Sequence, residues 1–211
     1  MAGKVVILSA PSGSGKTTLA RYLLSVEKLN FKFSVSATTR KKRDHEINGK
    51  DYFFFSLDEF KNSIENQDFI EYEKVYENIY YGTLMSEVNN LIVNHNIVFD
   101  VDVLGALSLK KYFKSRAISI FIKPPSIDVL EKRLIDRKKN DPSEIKERIR
   151  KAEIDMKKEA DFDTVIINED LDVAKQDLID KVEKFLKRKL DYFLAPLILF
   201  ILGMTKLHHI F

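Results

Sequence analysis

A glycine-rich segment near the N-terminus has the residue types and spacing that bind phosphate. Residues 10–17 read Ala-Pro-Ser-Gly-Ser-Gly-Lys-Thr, between an apolar run and a helical pattern. Gly13 and Gly15 permit backbone conformations in which successive N–H groups can point at phosphate oxygens. Lys16 can contact a phosphoryl group during transfer, and the Thr17 hydroxyl can ligate Mg²⁺.

This segment departs from the general P-loop pattern at one position. The pattern G-x-x-x-x-G-K-[ST] has glycine where this chain has Ala10. An ordinary glycine-rich turn between a strand and a helix is the alternative. The strand before, the two glycines within and the helix after favour a phosphate loop. We therefore predict that its residues bind ATP: Ser12, Gly13, Ser14, Gly15, Lys16, Thr17 and Thr18.

Two carboxylates mark the end of a second apolar run. Asp100 and Asp102 close the segment Ile97–Asp102. In open α/β sheets, nucleotides bind outside the carboxyl ends of the parallel strands. We expect these acids near the phosphate loop, with a capped strand end as the alternative.

Several segments in the first half of the chain indicate what accepts the phosphate. They are Ser34-Val35-Ser36-Ala37-Thr38-Thr39-Arg40, Arg43, Glu46-Ile47-Asn48-Gly49-Lys50-Asp51-Tyr52, Phe69-Ile70-Glu71 and Tyr80-Tyr81-Gly82-Thr83. In order and spacing they resemble the GMP-binding elements of guanylate kinases. The resemblance runs from about Val5 to Leu190, and this family has Pro-Ser-Gly after the position of Ala10, as this chain does.

Four of these residues suit the phosphate of an acceptor nucleotide. Arg40 and Arg43 offer planar guanidinium donors, and Tyr52 and Tyr81 offer phenolic donors. A solvated basic loop and core aromatics are the alternatives for these residues taken singly. The ordered set favours a phosphate site.

Two further residues suit guanine. Glu71 can accept both N–H donors on one edge of the base, while the Ser36 hydroxyl donates to the adjacent carbonyl. Adenine would instead set a ring-nitrogen lone pair against the carboxylate, and such mismatches discriminate strongly. A surface glutamate is the alternative for Glu71 alone. The resemblance adds Thr83 and Asp100 to the base-binding set.

Arginines in a charged helical segment are candidates for stabilising phosphoryl transfer. Arg133 and Arg137 are four residues apart on one predicted helix, and Arg148 follows the break at Pro142. Arginines on a closing lid would neutralise charge on the transferred group and exclude water. The resemblance implies the same three, and a solvated helix face is the alternative. Asn168 resembles the family's adenine-contacting position.

The arrangement of apolar segments predicts an α/β sandwich. Short β-branched runs alternate with helical patterns, as in parallel sheets with crossover helices. The predicted core strands are Val5–Ser9, Phe33–Ser36, Ile97–Val101, Ala117–Ile122 and Thr164–Ile167, and a closing amphipathic helix spans Leu171 to Phe185. With the resemblance, this gives a P-loop kinase sandwich with a parallel five-stranded sheet, a β-rich GMP-binding insertion and a helical lid.

The chain divides by composition into a kinase-like domain and a tail. The predicted domain spans residues 1–190. Its core comprises about residues 1–38, 84–125 and 160–190. The GMP-binding insertion is about 39–83, and the lid is about 126–159. Residues 191–211 form an apolar tail, which is too short and too interrupted for a spanning helix. Packing on the core or a partner is the favoured role, and a membrane-surface anchor is the alternative.

Bulk properties exclude several functional classes. Lysine and arginine total 35 against 32 acidic residues, and the net charge of +3 argues against a nucleic-acid-binding protein. The chain has no cysteine, which permits a reducing cytoplasm and excludes thiol chemistry. We expect a cytoplasmic monomer or homodimer whose partners are ATP and GMP.

These observations predict the reaction. We expect ATP-dependent phosphorylation of GMP, and of dGMP, to the diphosphate with Mg²⁺ as cofactor. A catalytically inactive guanylate-kinase-like module that binds phosphopeptides is the alternative. A related kinase with another phosphorylated acceptor is a second alternative, which Glu71 and Ser36 disfavour.

Overall fold

The computed structural model describes residues 3–136 and 142–188. The strands in these residues are β1 (Val5–Ser9), β2 (Phe31–Phe33), β3 (Ala37–Thr38), β4 (Phe53–Phe54), β5 (Phe69–Tyr76), β6 (Ile79–Leu84), β7 (Asn96–Val101), β8 (Ala117–Lys123) and β9 (Thr164–Ile167). The α-helices are α1 (Lys16–Ser25), α2 (Leu57–Glu65), α3 (Met85–Ile92), α4 (Val103–Phe113), α5 (Ile127–Ile135), α6 (Pro142–Met156) and α7 (Leu171–Lys187).

A parallel five-stranded sheet in the order β2-β7-β1-β8-β9 forms the centre. Alternate residues of β1 enter different cores because successive strand side chains point to opposite faces. Val6 and Leu8 pack with residues of α1 and α7. Val5 and Ile7 pack with residues of α3 and α4. Both faces are buried, which explains the nearly continuous apolar runs in the sequence.

A second, mixed sheet has the order β4-β3-β6-β5. Helix α2 covers it with Phe60, which is fully buried and stacks on Phe69 at 4.4 Å between ring centroids. The helix begins with a capping box, in which Ser56 and Glu59 each accept from the other's backbone N–H. This cap fixes the start of a helix whose main attachment is one aromatic side chain.

Helices α5 and α6 form a pair with a small core of its own. Leu130 and Leu134 of α5 are buried with Ala152 of α6. Helix α6 begins at Pro142, where proline is favoured because a first-turn N–H has no helical acceptor.

The predicted α/β fold with its parallel five-stranded sheet is confirmed. The predicted bounds of one strand, Phe33–Ser36, are wrong. β2 ends at Phe33 because the chain then crosses to the second sheet, where the Phe53 N–H donates to the Ser36 carbonyl at 2.9 Å. The division into core, insertion and lid stays a prediction. The predicted tail, 191–211, lies outside the described residues.

No helix within residues 3–136 and 142–188 combines the length and apolar character needed to cross a membrane.

A buried lysine fixes the end of α7. Lys4 is 9% exposed as a residue, and its ammonium donates to the carbonyls of Phe185 (2.9 Å), Leu186 (3.0 Å) and Arg188. Burial, with the nearby charge of Arg188, lowers the pKa of Lys4. These carbonyls lie at the end of the helix, where the last turn has no helical N–H donors, so Lys4, one residue before β1, caps the helix.

Lys4→Met should therefore destabilise the fold. Hydrogen bonds to a charged group contribute about 1.5–3 kcal/mol, and we expect a loss in the free energy of unfolding of that order. Urea unfolding of Lys4→Met, beside Lys32→Met on the exposed face of β2 as the control, measures it. Equal unfolding free energies for the two variants would contradict the assigned role.

Candidate active site

The phosphate loop connects β1 to α1 with two glycines in left-handed backbone conformations. Gly13 has φ +95° and Gly15 has φ +90°, which side chains rarely adopt. Space also requires Gly15, because a Cβ there would lie 2.2 Å from Asn168 Nδ2. Among the described residues, no side chain caps the N-terminus of α1, and its first turn has no acidic residue. Its N–H groups are therefore oriented for an anion.

Lys16 and Thr17 meet Asp100 at the carboxyl edge of the parallel sheet. The Lys16 ammonium lies 2.7 Å from Asp100 Oδ1 and donates to the Val101 carbonyl at 2.6 Å. The Thr17 hydroxyl donates to Asp100 Oδ2 at 2.8 Å. The expected proximity of Asp100 to the loop is thus observed, and its contacts here are on the loop side of the site. Its predicted role toward guanine stays a prediction.

Asn168 supports the phosphate loop from the end of β9. Its Nδ2 donates to the Ser14 carbonyl at 2.7 Å, and its own N–H donates to the Lys123 carbonyl at 2.8 Å. The side chain is 5% exposed. The structure thus gives its amide a partner in the loop, and the predicted contact with adenine stays a prediction.

One cavity of about 980 Å³ connects the phosphate loop to the second sheet. Most of the predicted site residues line it: Ser12, Gly13, Gly15, Lys16, Thr17, Thr18, Ser36, Arg43, Tyr52, Glu71, Tyr81, Asp100 and Arg148. Ser14, Arg40, Thr83, Arg133 and Asn168 lie outside this lining. Arg137 lies outside the described residues.

Arg40 is held by a carboxylate that the sequence analysis did not assign. Its guanidinium makes a two-pronged pair with Glu46, with Nη2 to Oε1 at 2.7 Å and Nη1 to Oε2 at 3.0 Å. The Arg43 N–H also donates to Glu46, at 2.8 Å. Glu46 is 6% exposed, and its hydrogen bonds with Arg40 lower its pKa to about 2. The same pair raises the pKa of Arg40, with a further contribution from Tyr81.

Aromatic rings pack around Arg40 in this part of the site. The Arg40 guanidinium lies 5.3 Å from the centre of the Tyr52 ring, and Tyr52 meets Tyr81 edge to face at 5.8 Å. Arg43 extends into the cavity with its side chain 65% exposed. Arg43, Tyr52 and Tyr81 therefore face the same space, with Arg40 behind Tyr52.

Glu71 is a desolvated carboxylate at the same cavity. Thr83 donates to its Oε1 at 2.5 Å. A Cβ at position 105 would lie 3.0 Å from Glu71 Oε2, so Gly105 leaves room for the carboxylate at the start of α4. Burial raises the pKa of Glu71 to about 7, with further increases from the charges of Asp102 and Glu73; the Thr83 hydrogen bond opposes the shift.

Two of the three arginines predicted to stabilise transfer, Arg133 and Arg148, are described, and they are in different environments. Arg148 lines the cavity, whereas Arg133 donates to the Asn168 carbonyl at 3.0 Å. The predicted convergence of three arginines stays a prediction.

The cavity also has ionisable residues to which the sequence analysis assigned no role in binding or catalysis. They are Arg21, His45, Glu46, Lys50, Asp51, Glu73, Lys151 and Asp155. Asp102, which was expected near the phosphate loop, lines the cavity as well. Two of the unassigned residues could have been predicted from the sequence. Lys151 and Asp155 follow Arg148 by three and seven residues, which places them on the same face of the helix. Glu46 lay within a recognised segment, but its pairing with Arg40 depends on how the loop folds back.

Thr83→Val should raise the pKa of Glu71 further above 7, because the variant loses the hydrogen bond that favours the carboxylate. A bond to a charged group contributes about 1.5–3 kcal/mol, which corresponds to an increase of about one to two pKa units. Carboxyl ¹³C chemical shifts measured against pH would detect it. Thr39→Val is the control, since the Thr39 hydroxyl bonds only backbone groups among the described residues. An unchanged titration of Glu71 in Thr83→Val would refute this account.

A family model and several curated proteins that resemble this chain identify one family. The family model described as guanylate kinase matches residues 2–187. A guanylate kinase of Bacteroides fragilis is 50% identical over 184 residues, or 87% of this chain and 90% of that protein. One of Bacteroides thetaiotaomicron is 47% identical over 190 residues, or 90% and 93%.

A solved structure agrees with these sequence matches. The crystal structure of guanylate kinase from Anaplasma phagocytophilum superposes with a TM-score of 0.71 at 27% identity, covering 89% of this chain and 88% of that one. The expected resemblance is thereby confirmed. The chain belongs to the guanylate kinase family.

Proposed function

We propose that this chain transfers the γ-phosphoryl group of ATP to GMP, and to dGMP, with Mg²⁺ as cofactor, giving ADP and the diphosphate. The main support is that one cavity contains both a phosphate loop and a buried carboxylate able to read guanine. Lys16 and Glu71 both line that cavity. A binding module needs no lysine and hydroxyl pair at the start of α1, so the alternative of an inactive module has no observation in its favour.

The donor nucleotide would bind through the loop from Ser12 to Thr18. The uncapped N-terminus of α1 faces the phosphates, and Lys16 adds a charge that moves from Asp100 to them. Thr17 and Asp100 supply hydroxyl and carboxylate oxygens, the ligand types that Mg²⁺ prefers. When bound with ATP, Mg²⁺ would neutralise charge that develops on the phosphate oxygens. Asn168 would keep the loop in place.

The acceptor phosphate would bind between Arg43, Tyr52 and Tyr81, with Arg40 as the fourth group. Glu46 holds the Arg40 guanidinium in a fixed plane before any ligand arrives. Fixed donors lose little freedom on binding, which favours affinity. Arg43 is the more exposed of the two arginines and can move onto the phosphate.

The base would be read by Glu71, Ser36 and Thr83. Glu71 accepts from the two N–H groups of guanine, Ser36 donates to its carbonyl, and Thr83 holds Glu71 in place. Adenine would leave Glu71 facing a lone pair in a poorly solvated site. Such an unpaired polar group discriminates by up to about 10⁴-fold.

Phosphoryl transfer here needs no general base. The acceptor is a phosphate oxygen, and its second pKa is about 6, so it is mostly deprotonated at neutral pH. Catalysis then consists of alignment and charge neutralisation, for which we propose Lys16, Arg133, Arg137 and Arg148. Arg133 must leave the Asn168 carbonyl to take part, so closure of the lid (126–159) over the core and insertion would precede transfer.

An assay of ADP release tests the reaction directly. With Mg²⁺ and ATP, we expect turnover with GMP and dGMP, and far slower release with AMP, UMP or no acceptor. Lys16→Ala should abolish most turnover while GMP binding persists. Glu71→Gln should raise the KM for GMP at least tenfold and leave ATP binding nearly unchanged, because one guanine N–H would then face an amide N–H. Equal rates with AMP and GMP would disprove the guanine assignment.

The pKa of Glu71 predicts how GMP affinity depends on pH. GMP binds the carboxylate form, and this group is half protonated near pH 7 in the free protein. Its contribution is full above pH 8 and is lost as the pH falls, so from pH 8 to pH 6 the Kd should rise about tenfold from Glu71 alone.

Calorimetric titration of GMP at both pH values, with wild type and Glu71→Gln, isolates this effect. The phosphate of GMP titrates in both proteins, so the difference between the two profiles belongs to Glu71. Parallel profiles would mean that Glu71 does not contact the base.

A further inference from the structure

The lid helix α6 has two faces with different chemistry. Ile145, Ile149 and Ala152 pack toward α5. Arg148, Lys151 and Asp155 recur three and four residues apart, and all three line the cavity. Lys151 lies within the part of the chain that resembles guanylate kinases, but neither the sequence motifs nor the proposed reaction gives it a role.

The opposite wall of the cavity is acidic. Glu71 and Glu73 are two residues apart on β5, so their side chains lie on the same face of the second sheet. Both line the cavity, as does Asp102. The charge of Asp102 raises the pKa of Glu71 and of Glu73, so the three carboxylates lie within electrostatic reach of one another.

Lys151 is a cation of α6 whose charge acts on a carboxylate of this acidic wall. Burial raises the pKa of Glu73, with a further increase from the charge of Asp102, and the charge of Lys151 across the cavity opposes that shift. Burial also raises the pKa of Asp155 on the same helix as Lys151, and Lys151 opposes that shift too. Within residues 3–136 and 142–188 it makes no ion pair of 4.0 Å or less with either. The ammonium therefore acts on one carboxylate of its own helix and on one carboxylate of the opposite wall, without an ion pair to either among the described residues.

We propose that Lys151 pairs with Glu73 when the lid closes, and that this pair holds α6 against the acceptor-binding sheet. The proposal rests on the proposed function, because it takes GMP as the ligand beneath the lid. GMP bound to Glu71 compensates that carboxylate and leaves Glu73 and Asp102 on this wall. Asp102 already accepts from the Gly105 N–H at the start of α4, so Glu73 is the carboxylate available to α6. Bound nucleotide also displaces water, and a charge pair strengthens as the local dielectric falls. Lys151 is thus a positioning residue: it orients the helix that bears Arg148.

Lid closure can be measured by distance because the chain has no cysteine. Spin labels on Glu147→Cys in α6 and Lys61→Cys in α2, both exposed, report the separation of lid and insertion by pulsed electron resonance. The samples hold GMP and a non-hydrolysable ATP analogue with Mg²⁺ at pH 8, where Glu71 is ionised in every variant. GMP affinity is measured by calorimetry on the same proteins.

The decisive comparison is a double-mutant cycle. Lys151→Met and Glu73→Gln should each lower the closed fraction and weaken GMP binding about threefold to tenfold. The double variant should be no worse than either single one, because both remove the same pair. Lys151→Arg should retain closure. High salt should reduce the difference in closed fraction and in GMP affinity between wild type and Lys151→Met. Lys146→Ala, a change on the exposed surface of the same helix, is the control and should behave as wild type.

These measurements distinguish failure of the proposed Lys151–Glu73 pair from failure of the proposed GMP kinase function. If GMP binds and the lid closes equally in wild type and Lys151→Met, the pair is overturned and the kinase assignment stands. Additive effects of Lys151→Met and Glu73→Gln, or coupling of Lys151 to Asp155→Asn instead, also overturn the pair. If wild type does not bind GMP, both proposals fail.

Discussion

The parallel pairing of β1 with β7 is the constraint on which the site depends. Its register sets Leu8 beside Asp100 and Ser9 beside Val101, so the phosphate loop and the acidic strand end leave the sheet together. Lys16 can then reach both Asp100 and the Val101 carbonyl. A shift of one residue would point Asp100 to the other face of the sheet. The same strand end leads into α4, where Gly105 makes room for Glu71.

The second sheet provides the proposed recognition of GMP, and it contains a local pairing, the β5–β6 hairpin, whereas β1 of the core pairs with strands far away in the chain. Its strands β3 and β4 have two residues each, and β3 joins β4 to β6. What holds Glu71 in register is the longer hairpin of β5 and β6, in which Glu71 pairs with Thr83. Strand pairing and the hydrogen bond between these two side chains therefore both fix the position of the desolvated Glu71 carboxylate.

The sequence was sufficient where function depends on local pattern. The phosphate loop, the apolar strands and Pro142 at the start of α6 all follow from residues close together in the chain. It was insufficient where contacts join distant segments. The hydrogen bond of Asn168 to the Ser14 carbonyl spans 154 positions, and no local periodicity predicts it. The predicted end of β2 was wrong for the same reason. The Ser36 carbonyl accepts from the Phe53 N–H in the second sheet, and no local pattern predicts that pairing.

Carboxylates hold two of the cations that we propose bind nucleotide phosphates. Glu46 pairs with the Arg40 guanidinium, and Asp100 pairs with the Lys16 ammonium. These pairs hold long side chains in place and compensate cations that would be costly to leave unpaired in a poorly solvated site. Glu46 is nearly buried and holds Arg40 in two hydrogen bonds, so it should remain on binding. Asp100 has Thr17 as a second partner and can release Lys16 to the phosphates. In the proposed reaction the two ends of the cavity thus differ: Arg40 stays paired with Glu46 at the acceptor end, whereas Lys16 exchanges Asp100 for phosphate at the donor end.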